Sequence, residues 1–136
     1  LYFADTGLLC YLLNLHSEAR IIESSVIGSI WETLIFSELR RRLIASTGEW
    51  NIFFYRDRGV EVDFLVKDGE TLHLLECKWS ERPSQRDTIG MNKLIAALPE
   101  ARFGKCLVTN RGSNRFTITG RFESVPWQEL FDELSR

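Results

Sequence analysis

Two short apolar stretches carry charges that their surroundings do not favour. Gly59-Val60-Glu61-Val62-Asp63-Phe64-Leu65 and Leu74-Leu75-Glu76-Cys77-Lys78-Trp79 each read as a β-strand, and the turn signal Asp68-Gly69 between them predicts antiparallel neighbours. Alternation puts Glu61, Asp63 and Leu65 on one face of the first strand, and Leu74, Glu76 and Lys78 on one face of the second. Asp63 and Glu76 are thereby expected to meet, with Lys78 one step along. A carboxylate on a half-buried sheet costs several kcal/mol unless it is paired or metal-bound. Two together repel, and a bridging divalent cation removes the conflict; oxygen ligands of this kind suit Mg²⁺ or Mn²⁺. Such an ion polarises a phosphate and lowers the pKa of a bound water. The Lys78 ammonium would orient that water or steady charge developing on the phosphate. The other open reading is a solvated salt-bridge ladder of Asp63 or Glu76 with Lys78, which contributes little.

The elements that must position these residues follow from periodicity. Residues 1–20 place Leu8, Leu9, Leu12 and Leu13 at helical spacing, with Asp5 or Thr6 as cap. Residues 24–44 give the strongest helix signal, a stripe of Ile27, Ile30, Trp31, Leu34, Ile35, Leu39 and Leu43 that runs into Arg40-Arg41-Arg42. From Trp50 the period becomes two. Strands are expected at 51–56, 60–67 and 71–79, joined by Asp57-Arg58-Gly59 and Asp68-Gly69. Pro83-Ser84 opens a helix to Leu98, a strand covers 103–109, two short strands cover 116–119 and 122–125, and Pro126 starts a last helix to Leu134. The order predicts a mixed α/β fold, a central sheet flanked by helices.

Composition bounds the function. The 136 residues suit one compact domain, with 44% hydrophobic and 26% charged residues. No apolar run approaches the roughly 18 residues that cross a bilayer. The chain begins at Leu1 inside a periodic segment, without a basic-then-apolar leader, so a piece of a longer cytoplasmic protein is expected. Cys10, Cys77 and Cys106 are far apart and form no Cys-x-x-Cys pair, so reduced thiols are expected rather than a disulfide framework or a zinc site. The net charge of −2 lacks the basic excess of a dedicated DNA-binding domain. No Gly-x-x-x-x-Gly-Lys-Ser/Thr loop or Gly-x-Ser-x-Gly elbow occurs, and neither His16 nor His73 stands in a triad setting.

Gly59-Val60-Glu61-Val62-Asp63-Phe64-Leu65 followed by Leu75-Glu76-Cys77-Lys78 resembles the PD-(D/E)xK, restriction-endonuclease-like fold. More closely, the chain resembles DUF4143, a C-terminal domain of unknown function found after an AAA-type ATPase module in bacterial and archaeal proteins. Leu1-Tyr2-Phe3-Ala4-Asp5-Thr6-Gly7-Leu8-Leu9 resembles the segment leading into that domain, and Gly28-Ser29-Ile30-Trp31-Glu32 the helix that supplies a further glutamate. The resemblance implies a leading helix and linker over 1–23 and a nuclease-like domain over 24–136. It makes Asp63 and Glu76 metal ligands, Lys78 the catalytic lysine and Glu32 an auxiliary acidic ligand. Val62 stands where that fold often has proline. Gln85 is a weaker phosphate-contact candidate, Glu61 either supports Asp63 or pairs Arg56 or Arg58, and Trp79 either stacks on a base or belongs to the core. Arg56, Arg58, Arg82 and Arg86 lie nearby as phosphate contacts or as a solvated row. The function expected is a Mg²⁺-dependent phosphodiesterase on DNA or RNA. The alternatives are a catalytically silent nucleic-acid- or protein-binding module coupled to the ATPase domain, or an assembly role in which Trp31, Phe36 and the leading helix form a homo-oligomer or interdomain surface.

Overall fold

A computed structural model describes residues 2–45 and 50–135; Leu1, which opens the leading motif, lies outside them. The element order is α1 (Thr6–Leu12), α2 (Glu18–Ile22), α3 (Ile27–Ala45), β1 (Trp50–Asp57), β2 (Val60–Asp68), β3 (Thr71–Cys77), a 3₁₀ turn (Gln85–Thr88), α4 (Ile89–Ala97), β4 (Arg102–Asn110), β5 (Phe116–Thr119), β6 (Phe122–Pro126) and α5 (Leu130–Leu134). The single leading helix expected over 1–20 is two short ones. Asp5 caps the first by accepting from Leu8 N–H at 2.8 Å, and Asn14 breaks the run with a left-handed φ of 58°.

The six strands form one mixed sheet in the order β1-β2-β3-β4-β6-β5. β1, β2 and β3 make an antiparallel meander, whose first turn sets Arg58 (φ 45°) and Gly59 (φ 79°) between the paired Asp57 and Val60. Two consecutive positive φ values match the right-handed twist of a two-residue hairpin. β4 runs parallel to β3, reached through α4, and β6 runs parallel to β4. The hairpin of β5 and β6 thus joins the sheet by its second strand, with β5 at the edge. Pro126 closes β6 rather than opening the last helix, which begins at Leu130.

Each face of the sheet has its own core. On one, Trp31, Ile35 and Leu39 of α3 and Leu130, Phe131 and Leu134 of α5 bury Phe64, Val66, Leu75 and Cys77. On the other, Met91 and Leu94 of α4 cover Val62, Leu65, Leu74, Cys106 and Val108. Trp31 is buried, which takes it out of the surface expected of it, and Phe36 is half-buried against the first core. Large apolar side chains remain exposed on α1 at Leu8, Tyr11 and Leu12. All three cysteines are buried and free. His73 is a ladder residue: where the β3–β4 register slips, its Nδ1 accepts from Lys105 N–H at 3.1 Å. Among the described residues no helix is long and apolar enough to cross a membrane.

α4 approaches β2 closely enough to exclude a side chain at Gly90, where an added Cβ would stand 2.0 Å from the Glu61 carbonyl oxygen. Gly90→Ala is therefore expected to destabilise the domain by about 1–3 kcal/mol, despite the better helix propensity of alanine. Denaturant unfolding measures it, and an unchanged or raised midpoint would show that the helix shifts freely.

Candidate functional site

Asp63 sits where β2 and β3 part. Their pairing runs from Asp68↔Thr71 to Phe64↔Leu75, and the next amide, Cys77 N–H, donates to Asp63 Oδ2 at 2.8 Å instead of to a strand carbonyl. On the other side β2 carries a bulge. Phe53 pairs with Leu65 and Tyr55 with Val62, so Asp63 and Phe64 together stand against Phe54 alone. The bulge resets the alternation, putting Val62 and Leu65 in the α4-side core and Phe64 and Val66 in the α3-side core. The expectation that Asp63 shares the face of Leu65 is thereby corrected. Asp63 instead lines a cavity of about 290 Å³ with Tyr2, Ser29, Glu32 and Thr33 on the α3 side.

Glu76 follows Leu74 on β3, and its Oε1 accepts from Lys78 Nζ at 2.7 Å. Lys78 lies just past the strand, not within it as expected, and its backbone N–H bonds to the Thr109 carbonyl at 3.0 Å. Only 13% of the Glu76 side chain and 35% of the Lys78 side chain is exposed. The second Glu76 oxygen, Oε2, is buried and without a hydrogen-bond partner among the described residues.

The charges act on one another. Burial first, and then the charge of Glu76, push the Asp63 carboxyl up to about 7; Glu32 adds to this, while the Cys77 N–H and Lys78 oppose it. Burial also raises Glu76 above the ordinary carboxylate range, against the pull of the Lys78 hydrogen bond and charge and of the Asp63 backbone N–H, which approaches the carboxylate without reaching hydrogen-bond geometry. For Lys78, burial lowers the ammonium pKa, but the Glu76 hydrogen bond and the charges of Glu76 and Asp63 outweigh it, and the net shift is upward. The result is a lysine paired with Glu76 and, near it, an Asp63 carboxyl that its surroundings favour in the neutral form.

Glu32 reaches the same cavity from α3, where the Tyr2 hydroxyl donates to its Oε1. Among the described residues no three His, Cys, Asp or Glu side chains are grouped closely enough to hold a metal ion, so Glu32 does not complete a ligand set with Asp63 and Glu76 in this arrangement. Tyr2 is the residue that sequence reasoning missed. Its ring stacks on Phe36 at 4.8 Å and leans on Phe64 at 5.4 Å, and burial, then Glu32, raise its hydroxyl pKa. Its signal was faint, a place in the leading segment without periodic context.

The remaining candidates are dispersed. Glu61 is exposed and pairs with Arg56 at 2.5 Å, and Arg58 lies 3.9 Å from Asp57. Gln85 and Arg86 are exposed on the 3₁₀ turn. Trp79 is half-buried, edge-on to Trp31 at 5.2 Å, with the Arg111 guanidinium 5.1 Å from its ring centre. It belongs to the core margin, and its open face is already covered.

Fold and site together define a mixed α/β domain with a carboxylate–lysine cluster at the parting of two central strands. Residues 27–130 match the family model described as "Domain of unknown function (DUF4143)", and the chain belongs to that family. No curated protein matches the chain.

Proposed function

We propose that this domain is a divalent-cation-dependent phosphodiesterase acting on DNA or RNA, with a PD-(D/E)xK-like arrangement in which Asp63 and Glu76 hold Mg²⁺ or Mn²⁺ and Lys78 serves the attacking water. The observation that carries the reading is the buried, unpartnered Glu76 Oε2 beside an Asp63 whose charge is resisted by its surroundings. A carboxylate oxygen kept from water without a hydrogen bond is costly, and hard cations are held by such oxygens. The donor set therefore fits a small divalent ion, with Asp63 and Glu76 as the protein ligands. When bound, the ion would supply Lewis-acid polarisation of a phosphate and acidification of a water. The chain's own residues do the rest. The Cys77 N–H fixes Asp63 Oδ2, leaving its other oxygen for the ligand, and Lys78 supplies positive charge next to the carboxylates.

A second reading is supported by the convergence of only two carboxylates and by the net charge of −2. In it the domain is a catalytically silent nucleic-acid- or protein-binding module, coupled to an ATPase domain of the same protein. Calorimetric titration with Mg²⁺ and Mn²⁺, wild type beside Asp63→Ala and Glu76→Ala, separates the two. The first reading expects binding that either substitution abolishes, and cleavage of labelled DNA or RNA by the wild type alone. Absence of binding at millimolar metal would leave the second.

A further inference from the structure

β3, β4 and β6 are parallel, so their carboxyl ends open on one side of the sheet. In α/β sheets this is the side on which ligands settle, in a crevice formed by the loops after the strands. A cavity of about 740 Å³ lies there, lined after β3 by Glu81 and Arg82, after β4 by Arg111 and Asn114, after β6 by Gln128, and by Phe116 of β5. That volume falls in the range of pockets for small organic ligands, roughly 300–1,000 Å³. It lies a few residues further along the chain from the site already described, with no lining residue in common with the cavity that holds Asp63. Lys78 N–H bonds to the Thr109 carbonyl at 3.0 Å and Arg111 N–H to the Ser80 carbonyl at 3.3 Å, so residues 78–81 run from the carboxylate cluster alongside the cavity wall.

The cavity's two cations differ in their state. Arg111 is held in place: Nε donates to the Trp79 carbonyl at 3.1 Å, Nη1 pairs with Glu81 at 3.0 Å, and the guanidinium lies over the Trp79 ring. Arg82 is exposed, and its guanidinium makes no ion pair or hydrogen bond among the described residues. A preset arginine beside a free one, with amide side chains and a half-buried phenylalanine, matches an anion carried on a planar, hydrogen-bonding group. Phosphate recognises the guanidinium fork, and a base face recognises the ring. A duplex would demand a longer row of cations than this acidic chain presents.

We propose that this groove binds one or two nucleotides of a single-stranded nucleic acid, with Arg82 and Arg111 on phosphates and Phe116 against a base. The proposal rests on the phosphodiesterase reading for its orientation: the strand would continue past Lys78 to the carboxylates.

The test is fluorescence anisotropy with labelled ten-nucleotide dT and U strands and a ten-base-pair duplex, in EDTA so that cleavage plays no part. The single strands are expected to bind at least tenfold more tightly than the duplex, with a log–log salt slope of about −1.4 for two phosphate contacts. Arg82→Ala, on the surface, is expected to weaken binding about tenfold and bring the slope to about −0.7, while Arg20→Ala on α2 changes neither. Phe116→Leu, which keeps apolar volume, is expected to weaken binding about fivefold without altering the slope. Absence of single-strand binding, a preference for the duplex, or an Arg82→Ala slope equal to the wild type would overturn the proposal. Cleavage assays in Mg²⁺ distinguish the two readings. Arg82-dependent binding without any cleavage upholds the groove and removes the enzyme. Cleavage with a KM indifferent to Arg82→Ala and Phe116→Leu does the reverse.

Discussion

In metal-free buffer the melting temperature of the wild-type domain is expected to fall as pH rises from about 5 to 8, and Asp63→Asn is expected to remove most of that fall. Burial and the neighbouring Glu76 raise the Asp63 carboxyl to about 7, whereas an unfolded chain ionises it near the ordinary value of about 3.9. Between those two values the folded state holds a proton that the unfolded state has released. The stabilisation is thus complete below the unfolded value and is lost as pH climbs through the folded one. Of the whole shift only the part above about pH 5 falls in this window, a ceiling of roughly 3 kcal/mol, and sharing of the proton with Glu76 reduces it to about 2. That amounts to a drop of about 5–10 °C. Asparagine keeps an oxygen for the Cys77 N–H and cannot ionise. Glu76, also raised, leaves a smaller slope of the same sign. Glu133 acts oppositely and elsewhere. Hydrogen bonds from Arg115 and then Lys105 depress it to about 2, so its contribution is present above the usual glutamate value and disappears only in strong acid.

The same experiment tests the proposed metal site. At pH 8, millimolar Mg²⁺ is expected to restore the lost stability to the wild type by binding only the folded state, and to leave Asp63→Asn unmoved. Scanning fluorimetry across pH, with and without Mg²⁺, measures both arms. Parallel pH profiles for the two proteins would mean that Asp63 is ionised in the fold at little expense, as an ordinary solvated residue is.

Local chemistry announced much of this arrangement. Asp57-Arg58-Gly59 and Asp68-Gly69 marked the two hairpins because Gly59 and Gly69 supply the positive φ that tight turns need. The stripe Ile30, Trp31, Ile35 and Leu39 marked the face of α3 that is buried. Asp63, Glu76 and Lys78 stood out because charges in apolar strands demand a partner, and the structure pairs Lys78 with Glu76 and Asp63 with the intervening Cys77 N–H. What escaped was set by distant pairing. The bulge at Asp63 and Phe64 depends on how β1 lies against β2, through Phe53 and Tyr55, and a strict alternation gives no sign of it. The insertion of β6 beside β4 escaped likewise, since a five-residue strand names no partner. Tyr2 and Arg111 acquire their roles from contacts 30 and 32 residues away, with Glu32 and Trp79. Lys78 was placed in a strand that ends one residue earlier, where the chain turns to bond with Thr109.

Lys78→Met is expected to separate the ion pairing of the lysine with Glu76 from the catalytic role that the phosphodiesterase proposal gives it. The substitution keeps the apolar stem but removes the donor to Glu76 Oε1, in a carboxylate whose Oε2 is already buried and unpartnered. Breaking a buried ion pair from one side costs about 3–5 kcal/mol, and the partial exposure of Lys78 reduces the expected loss to about 2. Glu76 responds by holding its proton to higher pH, so the destabilisation is greatest in alkaline buffer. Adding Glu76→Gln removes the stranded charge, and the double variant is expected to recover to within about 1 kcal/mol of the wild type. Cleavage is expected to behave otherwise, falling about 100- to 1,000-fold in Lys78→Met and remaining lost in the double variant. Urea unfolding of the four proteins of the cycle, with single-turnover cleavage of a labelled strand beside it, reads both quantities. Should Lys78→Met cut within threefold of the wild-type rate while losing stability as stated, the ammonium would be a counterion for Glu76 and nothing more. The attacking water would then have to be oriented by the carboxylates alone.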